Sequence, residues 1–329
     1  MDLEIHRGET LGLVGETGCG KSVLALAIIG LVPHPGTIIS GRVLFDEVDL
    51  SKISSEEMRA LRQKKIAMIF QDPNAYLDPV FTVYEQVSEA IAAAYDMKMG
   101  SSLGMLNLLG ITYRPRKNEP VSVGKIEEFL RETTMRALER ARVPSPEGTM
   151  RSYPHELSGG IKQRSMIAMA VSKSPELLIL DEATTALDVT TQTQILSLLR
   201  ELKKELNTTF LMITHDLGVA SEVCDRVAIM YAGEIVETGP TTDVLNAPLH
   251  PYTQALLRAI PRLAMRGKPL EDIPGQLPSA MKKVAGCLFL DRCRYAMTKC
   301  TQHPGVIRLS QDHSVRCYLY DEKEQPSAS

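Results

Sequence analysis

Residues 10–31 read TLGLVGETGCGKSVLALAIIGL. A short apolar run, a glycine-rich turn and then small apolar residues at helical spacing give a strand, a loop and a helix in that order. The loop, residues 15–22, completes the pattern G-x-x-x-x-G-K-S. Glycines at 15, 18 and 20 let successive backbone N–H groups turn inward, and the helix N-terminus that follows carries partial positive charge, so the segment is a cradle for phosphate. Lys21 is spaced to reach the outer phosphates and the Ser22 hydroxyl to hold Mg2+. Cys19 stands where such a loop requires only a small side chain.

Outward from this loop, further short apolar runs at 66–70, 177–180 and 210–213 alternate with helical stretches and polar loops. That alternation predicts an α/β fold around a mostly parallel sheet core. Residues 227–231 and 234–236, joined through Ala232 and Gly233, read instead as an antiparallel hairpin. Between 82 and 172 the strand signal disappears, and residues 126–142 form a charged amphipathic pattern, so about 82–172 is expected to be a helical subdomain. Inside it, about 97–125 lacks periodicity and reads as a surface insertion. From Pro240 onward prolines recur, including Pro248, Pro251, Pro261, Pro269, Pro274 and Pro278, which marks an irregular C-terminal module.

Composition closes off several classes. Lys and Arg total 37 against 40 Asp and Glu, a net charge of -3, so no basic field points to nucleic acid. The longest apolar run, residues 23–32, is interrupted by Gly30 and falls short of the ~20 residues of a membrane span. Residues 1–8 contain Asp2 and Glu4 and no apolar signal core, so a cytoplasmic location is expected.

Residues 177–182, LLILDE, make a buried strand that ends in two acids. Asp181 suits Mg2+ binding and Glu182 suits a general base that polarises an attacking water. Residues 157–164, LSGGIKQR, open a helix about 20 residues earlier. Gln71 follows the run 66–70, Ala186, Leu187 and Asp188 follow the acids, and His215 follows the run 210–213. Taken in this order and spacing, the five motifs resemble the ATP-binding subunits of ABC transporters over residues 8–240.

The resemblance implies a P-loop ABC ATPase with a helical signature subdomain. It also implies a head-to-tail dimer in which Ser158, Gly159 and Gly160 of one subunit face the phosphate loop of another across ATP. Gln71 would sense Mg2+ and water, His215 would contact the γ-phosphate and Asp188 would lie at the dimer interface. Two positions depart from the pattern: Ile161 stands where many members carry Gln, and Ala183 where Pro is frequent. Members also carry a longer lead-in with antiparallel strands and an adenine-stacking aromatic. Here 14 residues precede Gly15 and none is Phe, Tyr or Trp, so those strands are expected to be missing.

Residues 248–253 (PLHPYT), 260–262 (IPR), 273–276 (IPGQ) with Pro278, and 287–293 (CLFLDRC) are similar to the C-terminal region of oligopeptide/dipeptide importer ATPases. The expected domains are 1–240 for nucleotide binding and 241–329 for the importer module. By this resemblance the partners would be a second ATPase subunit, two permease subunits and an extracytoplasmic substrate-binding protein. The chain would sit peripherally on the cytoplasmic face of the membrane. Cargo stays open among dipeptides, oligopeptides, nickel and oligosaccharides, because the ATPase does not touch it. The alternative, a soluble ABC ATPase acting on nucleic acid or ribosomes, would ordinarily bring coiled-coil insertions or a duplicated cassette. Of six cysteines, four (Cys287, Cys293, Cys300, Cys317) cluster late in the chain. Their spacing is looser than zinc pairs, and some importer ATPases carry a 4Fe-4S cluster on a similar pattern. The positive neighbours Arg292, Arg294 and Arg316 would then lower the thiolate pKa. Unligated thiols, zinc and disulfides are the other readings.

Overall fold

In a computed structural model the described residues are 1–95, 98–99, 111–112, 123–185, 187–259, 273–278 and 285–321. The chain forms two compact units, one of residues 1–24 with 211–329 and one of residues 25–210.

In the first unit the strand Thr10–Val14 is buried at every residue. It pairs in parallel with Arg226–Tyr231, Leu11 opposite Arg226 and Val14 opposite Ile229. Residues 211–214, at the end of the strand Thr209–Thr214, flank it on the other side. Such double-sided burial is what continuous apolar runs require. The strand Arg226–Tyr231 turns back into Glu234–Pro240 as an antiparallel hairpin. Its two turn residues, Ala232 and Gly233, have φ of 47° and 88°, the left-handed pair that matches strand twist in a two-residue turn. Beyond the hairpin, Ser314–Val315 pairs with Glu237 and Thr238, and Ile307–Arg308 forms the outer edge. The late part of the chain is therefore stitched by ladder hydrogen bonds to the sheet that carries the phosphate loop.

In the second unit Ile66–Ile69 and Leu177–Asp181 pair in parallel, Ile66 opposite Leu177. Helices Val83–Ala94, Val123–Arg140, Pro146–Arg151 and Gly159–Val171 occupy the stretch expected to be helical. The first starts on a capping box: Thr82 accepts from the Glu85 N–H and Glu85 accepts from the Thr82 N–H. Its Val87 and Ile91, one turn apart, are buried, as are Leu130, Leu138 and Ile167 on its neighbours. Two details differ from the sequence expectation. A two-residue antiparallel ladder, Lys98–Met99 with Ile111–Thr112, lies in the stretch read as an insertion without strands; two residues are too few to register as a period. Most of 97–125 otherwise lies outside the described residues, as do residues 260–262 and Ala186. The helix after the phosphate loop also stops at Ile28 rather than 31, because Gly30 takes φ 64° and ends it.

Candidate active site

The phosphate loop is shaped by the absence of side chains. A Cβ on Gly15 would stand 2.2 Å from the Met230 carbonyl oxygen, so the loop leaves its strand pressed against the neighbouring one. Gly18 and Gly20 have φ of 86° and 107°, which turns the intervening peptides inward. The far side is tied down by the Gly233 N–H, which donates to the Cys19 carbonyl at 2.8 Å. Lys21 is only 4% exposed, and its Nζ donates to the carbonyls of Gly15 at 2.7 Å and Glu16 at 3.0 Å. Those bonds hold the ammonium inside the loop. Ser22 is exposed at the helix start. Cys19 is buried, and burial pushes its thiol pKa up, with Lys21 opposing; it is a packed small side chain rather than a reactive one. In the same unit His215 is exposed just past Thr214, beside Asp216, which caps the next helix by accepting from the Gly218 N–H at 2.7 Å.

The second unit gathers another group. Asp181 is buried at the end of its strand. Glu182 follows in the left-handed region at φ 47°, a turn that swings its side chain out of the strand line. The Gln71 Nε2 donates to Glu182 Oε2 at 3.1 Å, so the glutamine and the second acid, 111 residues apart, meet. Ser158 is the N-cap of Gly159–Val171, yet its side chain makes no capping bond. Ser158 and Gly159 are exposed and Gly160 is half-buried. Lys162 Nζ donates to Asn74 Oδ1 at 2.7 Å, joining this helix to the turn after Gln71. A Cβ on Gly160 would be 3.0 Å from Thr191, so the helix opening at Asp188 packs on the signature turn. Asp188 caps that helix, accepting from the Thr191 N–H at 3.0 Å, and this bond holds its carboxyl below the usual range.

The four late cysteines line one small cavity with His250, Phe289 and Tyr295. Burial pushes Cys287 and Cys317 up to about 11 and raises Cys293, with mutual thiolate repulsion adding to it. The expectation that nearby arginines lower these pKa values is overturned. The Arg316 guanidinium turns to the Pro304 carbonyl, and the Arg292 guanidinium turns away to Glu16. Among the described residues, no group of three or more His, Cys, Asp or Glu is disposed to hold a metal ion.

Residues 1–185 match the family described as "ABC transporter", and residues 236–300 match "Oligopeptide/dipeptide transporter, C-terminal region". The dipeptide transport ATP-binding protein DppD of Bacillus subtilis is 39% identical over 99% of this chain and 89% of its own length. The chain belongs to the ABC transporter ATP-binding family. The oligopeptide transport ATP-binding protein OppD of Salmonella typhimurium is 40% identical over 97% of this chain and 86% of its own. Among solved structures, this ABC ATPase is similar to cbiO1 of Clostridium perfringens, at TM-score 0.58 and 30% identity over 75% of this chain and 83% of that one. It is also similar to a dimeric cassette, MJ0796, in a post-hydrolysis state bound to ADP and Pi, at TM-score 0.56 and 26% identity over 73% of this chain and 88% of that one. No helix among the described residues is long and apolar enough to cross a membrane.

Sequence reading of this ABC ATPase missed Glu16 and Tyr252 and misdirected Arg292. The Tyr252 hydroxyl accepts the Glu16 N–H at 3.0 Å, and Arg292 Nη1 pairs with Glu16 Oε2 at 3.1 Å. Arg292 is 276 residues from Glu16, and no local pattern signals a contact at that separation.

Proposed function

We propose that the chain is the ATP-hydrolysing subunit that energises uptake of di- or oligopeptides through an ABC importer at the cytoplasmic face of the membrane. Its domains are then 1–240 for nucleotide binding and 241–329 for the importer-type module. In this reading its partners are a second ATPase subunit, two permeases and, through them, an extracytoplasmic binding protein. The relatives DppD and OppD, named for dipeptide and oligopeptide transport, support the cargo class. The observation that carries hydrolysis is the Gln71–Glu182 hydrogen bond beside buried Asp181. A glutamine able to hold water and a carboxylate able to take its proton are in contact, which is what attack on a γ-phosphate needs.

In chemical terms, Lys21 and the N–H groups of the loop bind and orient the phosphates, and His215 contacts the γ-phosphate. Glu182 accepts a proton from the attacking water. Ser158, Gly159 and Gly160 supply a helix-start anion site to the nucleotide of a partner subunit, with Asp188 at that interface. By the family pattern Ser22, Gln71 and Asp181 are the residues that would hold Mg2+, and each carries a side-chain oxygen of the kind that ion prefers; the ion would offset phosphate charge. The four cysteines share a cavity, which speaks for a 4Fe-4S cluster. The raised pKa of Cys287, Cys293 and Cys317 and the lack of any metal-disposed group among the described residues speak against one. As arranged they do not fit it, and no step depends on it. Permease docking is read near residues 71–79 and the helical subdomain, and in the first of these Tyr76 is an exposed apolar side chain.

The test is a pair of substitutions. Glu182→Gln should lower ATP turnover by about 100-fold or more while ATP still binds, since the base is lost and the phosphate ligands remain. Lys21→Ala should instead weaken ATP binding itself. Turnover at the parental rate by Glu182→Gln would remove that residue from its role.

A further inference from the structure

We propose that Arg292 is a positioning residue of the nucleotide site. By neutralising Glu16 it keeps the phosphate loop receptive to a triphosphate, so the C-terminal segment sets ATP affinity. This rests on reading residues 15–22 as the ATP site.

Glu16 puts a carboxylate inside a loop whose task is to receive anions. Its Oε1 is buried without a hydrogen-bond partner among the described residues, and Oε2 is taken by Arg292. Among the described residues the ion pair of that carboxylate is with this one guanidinium. Arg292 is built for the task. Its side chain is 6% exposed, and three further donors go to the Pro274 carbonyl at 2.8 Å, the Ile273 carbonyl at 3.2 Å and the Tyr231 hydroxyl at 3.3 Å. The guanidinium carbon lies 5.7 Å from the Tyr231 ring centroid and 5.9 Å from that of Phe289. Gly275, at φ 83°, passes close enough that a Cβ would be 3.4 Å from the arginine stem. A fork fixed on so many sides holds the carboxylate at little entropic cost. Tyr252, fully buried, meanwhile holds the Glu16 N–H. Residue 16 thus enters the loop with its backbone donor held by Tyr252 and its carboxylate held by Arg292. Release of that grip would leave an uncompensated negative charge on a residue of the phosphate loop, and its repulsion of a triphosphate would weaken binding by about tenfold.

The experiment measures Mg·ATP and Mg·ADP affinity on the purified full chain by displacement of a fluorescent ATP analogue, together with KM and kcat. Arg292→Gln should weaken ATP binding about tenfold and ADP less, with kcat at saturation within about twofold. Arg292→Lys should recover most of the loss, and adding Glu16→Gln to Arg292→Gln should restore affinity, because the repelling charge is gone. An Arg292 that only packed would show no such rescue, and that result overturns the proposal. Should Arg292→Gln fail to fold, Glu16→Gln alone decides: it should bind ATP at least as tightly as the parent, and a tenfold loss overturns the proposal. A parent chain that does not bind Mg·ATP overturns the ATP reading and this proposal with it. Parent binding with equal Arg292→Gln affinity overturns this proposal alone.

Discussion

Two glycines of the phosphate loop are required for different physical reasons, and the difference is measurable. At Gly15 the constraint is space, since a Cβ would sit 2.2 Å from the Met230 carbonyl oxygen, which is backbone and cannot rotate aside. At Gly18 nothing lies within 4 Å of the added atom, and the constraint is φ of 86°. Gly15→Ala must therefore push two neighbouring strands apart, at a cost of about 3 kcal/mol or more. Gly18→Ala meets only left-handed strain, about 1 kcal/mol. Urea unfolding of the two variants should rank them in that order. Equal loss would mean that the loop relaxes freely at its strand junction.

At the scale of elements, Asp188 carries a structural duty beside the interface role inferred for it. It opens the helix Val189–Leu206 by accepting the Thr191 N–H, and Leu196, Leu199 and Leu202 on that helix are buried. Asp188→Asn keeps an acceptor at the cap and should leave unfolding by urea as in the parent. Asp188→Ala should shift the transition to lower urea. If Asp188→Asn alone then lowers ATP turnover in the dimer, the charge serves the interface and not the cap. The strands and the loop were readable in sequence because each is a local pattern: a short apolar run at 10–14, glycines at fixed offsets, a charged amphipathic run at 126–142. The Gln71–Glu182 contact was reachable through the family pattern, though not from periodicity. What escaped was carried by contacts between distant segments. Arg292 read as a neighbour of thiols because it adjoins Cys293 in the chain, yet its guanidinium serves residue 16. Burial at Cys287, Cys293 and Cys317, which raises the pKa of each, has no signature in cysteine spacing.

Protonation across the chain sets a pH window for the folded molecule, and its acid edge has one clear source. His250 is 2% exposed, and burial holds its pKa down at about 3 against an ordinary 6.5. Its Nδ1 accepts the Tyr252 N–H at 3.0 Å, so that nitrogen bears no proton, and its own backbone N–H donates to buried Glu237 at 2.8 Å. The folded pKa lies below the unfolded one. The unfolded chain therefore binds the proton first, and the stability contributed by neutral His250 is complete above pH 6.5 and declines as pH falls toward 3. Cys287 and Cys317 act with the opposite sign: raised from 9.0 to about 11, they favour the folded state below pH 9 and lose that contribution as pH climbs to 11. Between pH 6.5 and 5 the histidine alone should cost the parent about 2 kcal/mol of unfolding free energy. His250→Asn keeps a polar side chain that does not titrate there, so its stability should fall less over the same interval, whatever its starting level. Urea unfolding of both proteins at pH 7.5, 6.5 and 5 measures the two slopes. The surface carboxylates common to both cancel in the comparison, and equal slopes would show that His250 takes up its proton without disturbing the fold.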